Sequence, residues 1–112
     1  MEKQCKFSYN EIDDSLIISC RGENKKAKEN FMFDDLIFYL TENGKIIGLQ
    51  IRSASSILEE SGINPSTLDN LKSANLIINP KQNSLFIGVN LISDIKETKL
   101  PIGRIFAPQL TI

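Results

Sequence analysis

Leu36-Ile37-Phe38-Tyr39-Leu40-Thr41-Glu42-Asn43-Gly44-Lys45-Ile46-Ile47-Gly48-Leu49-Gln50-Ile51 reads as two apolar strands around a turn. Side chains alternate along an extended chain, so Leu36, Phe38 and Leu40 face one way and Ile37 and Tyr39 the other. Apolar residues on both faces predict a central strand covered on both sides. Asn43-Gly44 is the strongest short-range hairpin signal, because a type I′ turn needs positive φ at both centres. In the partner strand Ile47, Leu49 and Ile51 share a face, and Gly48 marks a close backbone approach. This stretch sets the fold class: α+β, built mainly from antiparallel hairpins.

Working toward the N-terminus, Asn30 to Leu40 is one β-rich run interrupted by Asp34-Asp35, where a bulge or kink is expected because aspartate is unfavourable in strands. Arg21 to Glu29 is polar and contains Gly22, which predicts a loop. Cys5, Phe7 and Tyr9 alternate with Lys6, Ser8 and Asn10, the period of a half-buried strand. Residues 10–14 supply turn formers that bond back to the local backbone, and Leu16 to Cys20 completes a hairpin over 5–20.

Toward the C-terminus the period changes. Two short helices are expected around residues 54–74. Ser53 or Ser56 caps the first, with Ser56 and Glu59 spaced as a capping box, and Gly62 ends it. Asn64-Pro65 opens the second, with Ile63 and Leu68 at the spacing of a hydrophobic staple and Leu71 and Ala74 continuing the stripe. Leu76 to Ile78 and Leu85 to Val89 then flank a turn over residues 79–83. The run from Ile105 to Ile112 follows Pro101 and Gly103, and its Pro108 makes it an edge strand.

Shifted by sixty-nine residues, the chain resembles itself. Asn10, Ser15, Leu16 and Ile18 recur as Asn79, Ser84, Leu85 and Ile87, and Leu36-Ile37 meets Ile105-Phe106. The expectation is a duplicated β unit, with halves 5–52 and 75–112 joined by a helical segment 53–74 in one domain. The halves could share a continuous sheet or pack face to face.

A chain of 112 residues with 41% hydrophobic and 24% charged residues has ordinary globular composition. At this length roughly 65% of the unfolded surface is buried, enough for a core without staples. A net charge of −1 gives no global field for nucleic acid or anionic lipid, so neither is an expected partner. No apolar run approaches the roughly 20 residues of a membrane span. Residues 1–6 are not followed by a signal-peptide core, which makes the cytoplasm the expected compartment. There Cys5 and Cys20 are expected as free thiols, although a bond between neighbouring strands is geometrically open to them.

Residues 7–52 resemble a small prokaryotic domain family of unknown function. The likeness is carried by Tyr9-Asn10-Glu11-Ile12-Asp13-Asp14-Ser15-Leu16-Ile17-Ile18, by Phe33-Asp34-Asp35-Leu36-Ile37, and by Thr41 to Ile51 with its Asn43-Gly44 turn. The chain departs from the family pattern at Asn10, where aspartate is usual, and at Gln50, where glutamate is usual. Similar domains are encoded beside small toxin-like nucleases, so the resemblance implies an antitoxin-like partner role.

Candidates for chemistry are few. The chain has no histidine, which removes the histidine-based nucleophile systems and the commonest metal ligand. Asp13-Asp14 and Asp34-Asp35 could supply oxygen ligands or a paired acid and base, but turn and bulge roles explain each pair. Lys25, Lys26 and Lys28, with Arg21 nearby, form the basic cluster, diluted by Glu23 and Glu29, and read as a solvated loop. Phe31, Phe33, Phe38 and Tyr39 could stack bases, but without interleaved arginines they read as core. No catalytic, cofactor or metal residue is therefore expected. The expected role is a non-enzymatic interaction or self-assembly module, a homodimer or the partner of a small protein; the rival is a carboxylate-based ligand-binding or enzymatic domain.

Overall fold

Alternating apolar residues need a second layer to bury against, and this chain supplies one from its own C-terminal half. The computed structural model describes residues 2–3, 5–20, 29–94 and 96–106. Their elements in order are β1 (Glu2–Lys3), β2 (Lys6–Asn10), β3 (Ser15–Ser19), β4 (Glu29–Phe33), β5 (Leu36–Leu40), β6 (Ile46–Ile51), α1 (Ala54–Glu60), a 3₁₀ helix (Pro65–Asn70), β7 (Leu71–Lys81), β8 (Ser84–Ser93) and β9 (Glu97–Phe106). The strands form two antiparallel sheets, β2-β3-β6-β5-β4 and β1-β7-β8-β9. The fold is α+β and mostly antiparallel sheet.

The register explains the core. In the first sheet two rows face inward, Phe7-Ile18-Leu49-Phe38-Phe31 and Tyr9-Leu16-Ile51-Leu36-Phe33. Leu76, Val89 and Leu100 form one row of the second. Leu58, Ile63 and Leu68 close one end, so residues of both sheets share a single cluster. Each fully buried leucine or isoleucine contributes about 2 kcal/mol relative to exposure.

Several expectations change. Asp34-Asp35 is no bulge but a two-residue turn, so residues 30–40 are two strands with Phe33 opposite Leu36. Asp34 takes φ of 52°, which a short polar side chain tolerates. β5 is internal to its sheet, yet Ile37 and Tyr39 are only half-buried, since among the described residues no element packs on that outer face. The Asn43-Gly44 hairpin forms with only Gly44 at positive φ. Thr41 O accepts from Gly44 N and Lys45 O from Thr41 N, a longer loop than type I′. Gly48 is the expected close approach: a Cβ there would stand 3.2 Å from Ile18 O and 3.4 Å from the Tyr39 ring.

The helical segment is shorter than expected. Gly62 ends α1 as predicted, with Gly62 N donating to Glu59 O and Ile63 N to Leu58 O. Asn64 Oδ1 accepts from Ser66 N and opens the 3₁₀ helix. Leu71 and Ala74 belong to β7, not to a helix, because pairing with β8 claims their backbone. β7 also runs through Pro80 to Lys81, leaving a two-residue turn at Gln82-Asn83 rather than one over 79–83. Beyond β1 this part of β7 is an edge, where a missing N–H costs little.

The two hairpins are alike in architecture but differ in detail. Asn10 pairs with Ser15 across four residues, whereas Lys81 pairs with Ser84 across two. The strand beside β3 is β6, not the β5 stretch that the sixty-nine-residue shift equates with β9. The halves pack as separate sheets, except that β1 crosses over to pair with β7. The last strand begins at Glu97 and contains Pro101 and Gly103; residues 107–112, with Pro108, lie outside the described residues. No helix among the described residues is long and apolar enough to cross a membrane.

Candidate functional site

Asp13 and Asp14 sit in the β2–β3 turn, which opens with Asn10 Oδ1 accepting from Ile12 N at 2.9 Å. Asp14 is turned inward at φ of 53°. Its carboxylate accepts from the Tyr9 hydroxyl at 2.6 Å and from the Ser55 hydroxyl at 2.7 Å. Ser55 N also donates to it, at 3.1 and 3.2 Å, and Ala54 N donates to Asp14 O at 2.9 Å. The cap of α1 therefore comes from a distant turn, and the expected capping by Ser53 or Ser56 does not occur: Ser53 precedes the helix without a side-chain bond. Burial pushes the Asp14 carboxyl up, but the bonds from Tyr9 and Ser55 outweigh it and hold it below its ordinary value. This arrangement is a structural knot.

Cys5 and Cys20 are joined as a disulfide, which corrects the expectation of free thiols. The hairpin register explains it: Lys6 pairs with Ser19, and the cysteines lie one step beyond, Cα atoms 4.2 Å apart. Cys5 also receives Leu76 N at its sulfur, where the chain passes from one sheet to the other.

A cleft opens between the two sheets. Phe31, Phe33, Leu36 and Phe38 from β4 and β5 face Ile87, Ile102, Gly103 and Arg104 from β8 and β9 across a cleft of about 150 Å³. Phe38 is buried as expected, and its ring centroid lies 6.1 Å from that of Phe31. Phe31 and Phe33 are not core: they remain 36% and 60% exposed, because β4 is the last strand of its sheet. Tyr39 lies on the outer face, its hydroxyl donating to Gln50 Oε1 at 3.2 Å. Engineered apolar cavities of about this volume hold a benzene-sized guest, so the cleft has room for one large apolar side chain.

A wider groove of about 620 Å³ shares Phe33, Leu36 and Ile102 with the cleft and adds Asp34, Asp35, Ser56, Ile57, Glu60, Ser61 and Pro101. Turn and helix end thus bring three carboxylates to one groove, which Pro101 and Ile102 of the bulged strand also line. Among the described residues the ion pair is Lys72 with Asp94 at 3.4 Å, so Asp34, Asp35 and Glu60 carry no partner cation there. No cluster of metal-ligating side chains occurs among the described residues. Arg21, Lys25, Lys26 and Lys28 lie outside them.

The edges of the two sheets differ at this mouth. β9 is blunted: Pro101 offers no N–H, Ile102 bulges out of register, and Gly103 takes φ of 147°. β4 pairs with β5 without irregularity, and all five of its residues are exposed. Sequence reading missed Glu60, Ile102 and Arg104 as parts of this mouth. Met32, paired with Ile37 on the outer face, is 59% exposed. In comparisons with protein-family models, curated proteins and solved structures, nothing matches this chain.

Proposed function

We propose that the chain is a non-enzymatic protein-interaction module whose partner adds a strand to β4 and reaches into the cleft behind it. The observation that carries this reading is the β4 edge, regular throughout and, over Phe31-Met32-Phe33, without charge, proline or bulge. Natural sheets protect edges with charge, proline or bulges, and an exposed, regular, apolar edge pairs readily with another chain. β9, blunted on the same mouth, shows the contrast within one molecule. Exposed Phe31, Met32 and Phe33 add apolar area that solvent disfavours.

The test compares the wild-type chain with a Met32→Lys/Phe33→Lys variant and with Ser8→Lys on the opposite edge. Each is tagged, recovered from its native cells and sedimented alone. A stoichiometric complex, with another protein or a second copy, that is lost in the β4 variant and kept in Ser8→Lys supports the reading. A monomer without partner, or a complex indifferent to β4, overturns it.

A further inference from the structure

Resting on the β4 reading, we infer that the strand added to β4 is β4 of a second copy, paired antiparallel about a two-fold axis at Phe31. The backbone decides which groups are free. Phe33 and Leu36 flank a two-residue turn, so they exchange both backbone bonds, and bonding alternates along the hairpin. The N–H and C=O of Glu29, Phe31 and Phe33 are thus turned toward β5, and those of Asn30 and Met32 toward the open edge.

With the axis at Phe31, Asn30 of each copy stands opposite Met32 of the other, and both pairs exchange two bonds. Every outward backbone group of β4 is then satisfied. The two Phe31 residues meet as the intervening non-bonded pair, where side chains approach closest. The axis is perpendicular to the sheet, so both inner faces stay on one side, and each Phe33 lies diagonal to the second copy's Phe31. The exposed rings of Phe31 and Phe33 cover one another, and two five-stranded sheets become one.

Charge selects the same arrangement. In sequence Lys25, Lys26 and Lys28 lead into β4, outnumbering Glu23 and Glu29, and Asp34-Asp35 follow it. Antiparallel pairing carries the leading end of each strand to the trailing end of the other, so basic and acidic ends are matched across the axis. Parallel pairing would set like ends together, and an axis at Met32 would place Glu29 opposite the second copy's Asp35. Pairing β4 with β2 of a second copy would leave one β4 and one β2 free and propagate as a filament, whereas β4 on β4 closes.

The full wild-type chain is sedimented across a concentration series, with amide exchange followed at both ends of the series. A dimer is expected, and as it forms exchange at Asn30 and Met32 should slow about tenfold while Phe31 and Phe33 change less. Met32→Lys/Phe33→Lys should be monomeric. Under oxidation Phe31→Cys should link two copies, whereas Met32→Cys and Phe33→Cys, held too far from their equivalents, should not. If Phe31→Cys fails to fold, exchange at Asn30 and Met32 in the wild type decides alone. A chain that stays monomeric yet recovers a different protein through β4 overturns the inference and leaves the β4 reading intact. A β4-dependent filament, or linkage of Met32→Cys or Phe33→Cys in place of Phe31→Cys, does the same. A dimer indifferent to Met32→Lys/Phe33→Lys, or a monomer without partner, overturns both.

Discussion

The carboxylate of Asp14 accepts both the hydroxyl and the backbone N–H of Ser55, 41 residues further along the chain. The turn of the first hairpin thereby holds the first turn of α1. Removing an N-terminal cap costs about 1 kcal/mol, and leaving Ser55 N partly buried without an acceptor adds a similar amount. Asp14→Ala should therefore lower stability by about 2 kcal/mol in urea unfolding. Asp14→Asn keeps an acceptor and tolerates positive φ, so it should cost less than half as much. Equal midpoints for Asp14→Ala and wild type would remove the knot from the account.

The same contact sets a pH dependence at both ends of the scale. Asp14 is held below its ordinary 3.8 in the folded protein, so its contribution is complete above that value and is lost as pH falls through the folded pKa. Tyr9 is pushed from 10.0 up to about 12, first by its hydrogen bond to Asp14, then by burial and by nearby carboxylate charge. Its contribution is full below pH 10 and disappears as pH rises toward 12. In a Tyr39→Phe background Tyr9 is the sole phenol, and its absorbance should titrate near 12. Adding Asp14→Asn should bring that midpoint down; an unmoved midpoint would assign the shift elsewhere.

The disulfide closes a loop between residues 15 apart in sequence. Constraining a loop of that size stabilises by about 3 kcal/mol in the chain-entropy picture. Cys20→Ser should lower the melting temperature on the order of 10 °C for a domain this size. Reductant should reproduce the loss in the wild type and have no effect on the variant. Two titratable thiols in the purified native chain would contradict the bond.

Leu58 is 0% exposed and Ile12 is 95% exposed. Leu58→Ala removes a fully buried α1 side chain from the core cluster and should cost about 3 kcal/mol. Ile12→Ser, in the open turn, should stay within about 0.5 kcal/mol of wild type. Urea midpoints for the pair check the packing; similar losses at both positions would mean that the turn is not solvent-exposed.

Hairpins, the Asn64-Pro65 helix start and the Gly62 stop were legible because each depends on neighbours within a few residues. Asp34-Asp35 was misread as a bulge because a two-residue turn and a bulge place the same residue types in the same run. The capping of α1 was illegible for another reason: Ser56 and Glu59 offered a local solution, and Asp14, far away in sequence, supplied the better one. Cys5 and Cys20 were judged from an expected compartment, whereas the register of β2 on β3 brought them together. Phe31 and Phe33 had the pattern of core residues, and only their place in the strand order exposes them.

By itself, the sequence determined that the chain folds mainly as antiparallel hairpins with short helices between them, since period-two alternation and turn chemistry are properties of adjacent residues. It misplaced the limits of several strands and turns. The tertiary structure decided which strand is last in each sheet. That outcome depends on pairing between residues far apart in sequence, as when β6 takes the place beside β3 and leaves β4 outermost. The acidic rim has the same origin: Asp34, Asp35 and Glu60 meet only because the β4–β5 turn and the end of α1 come to the same side of the open cleft.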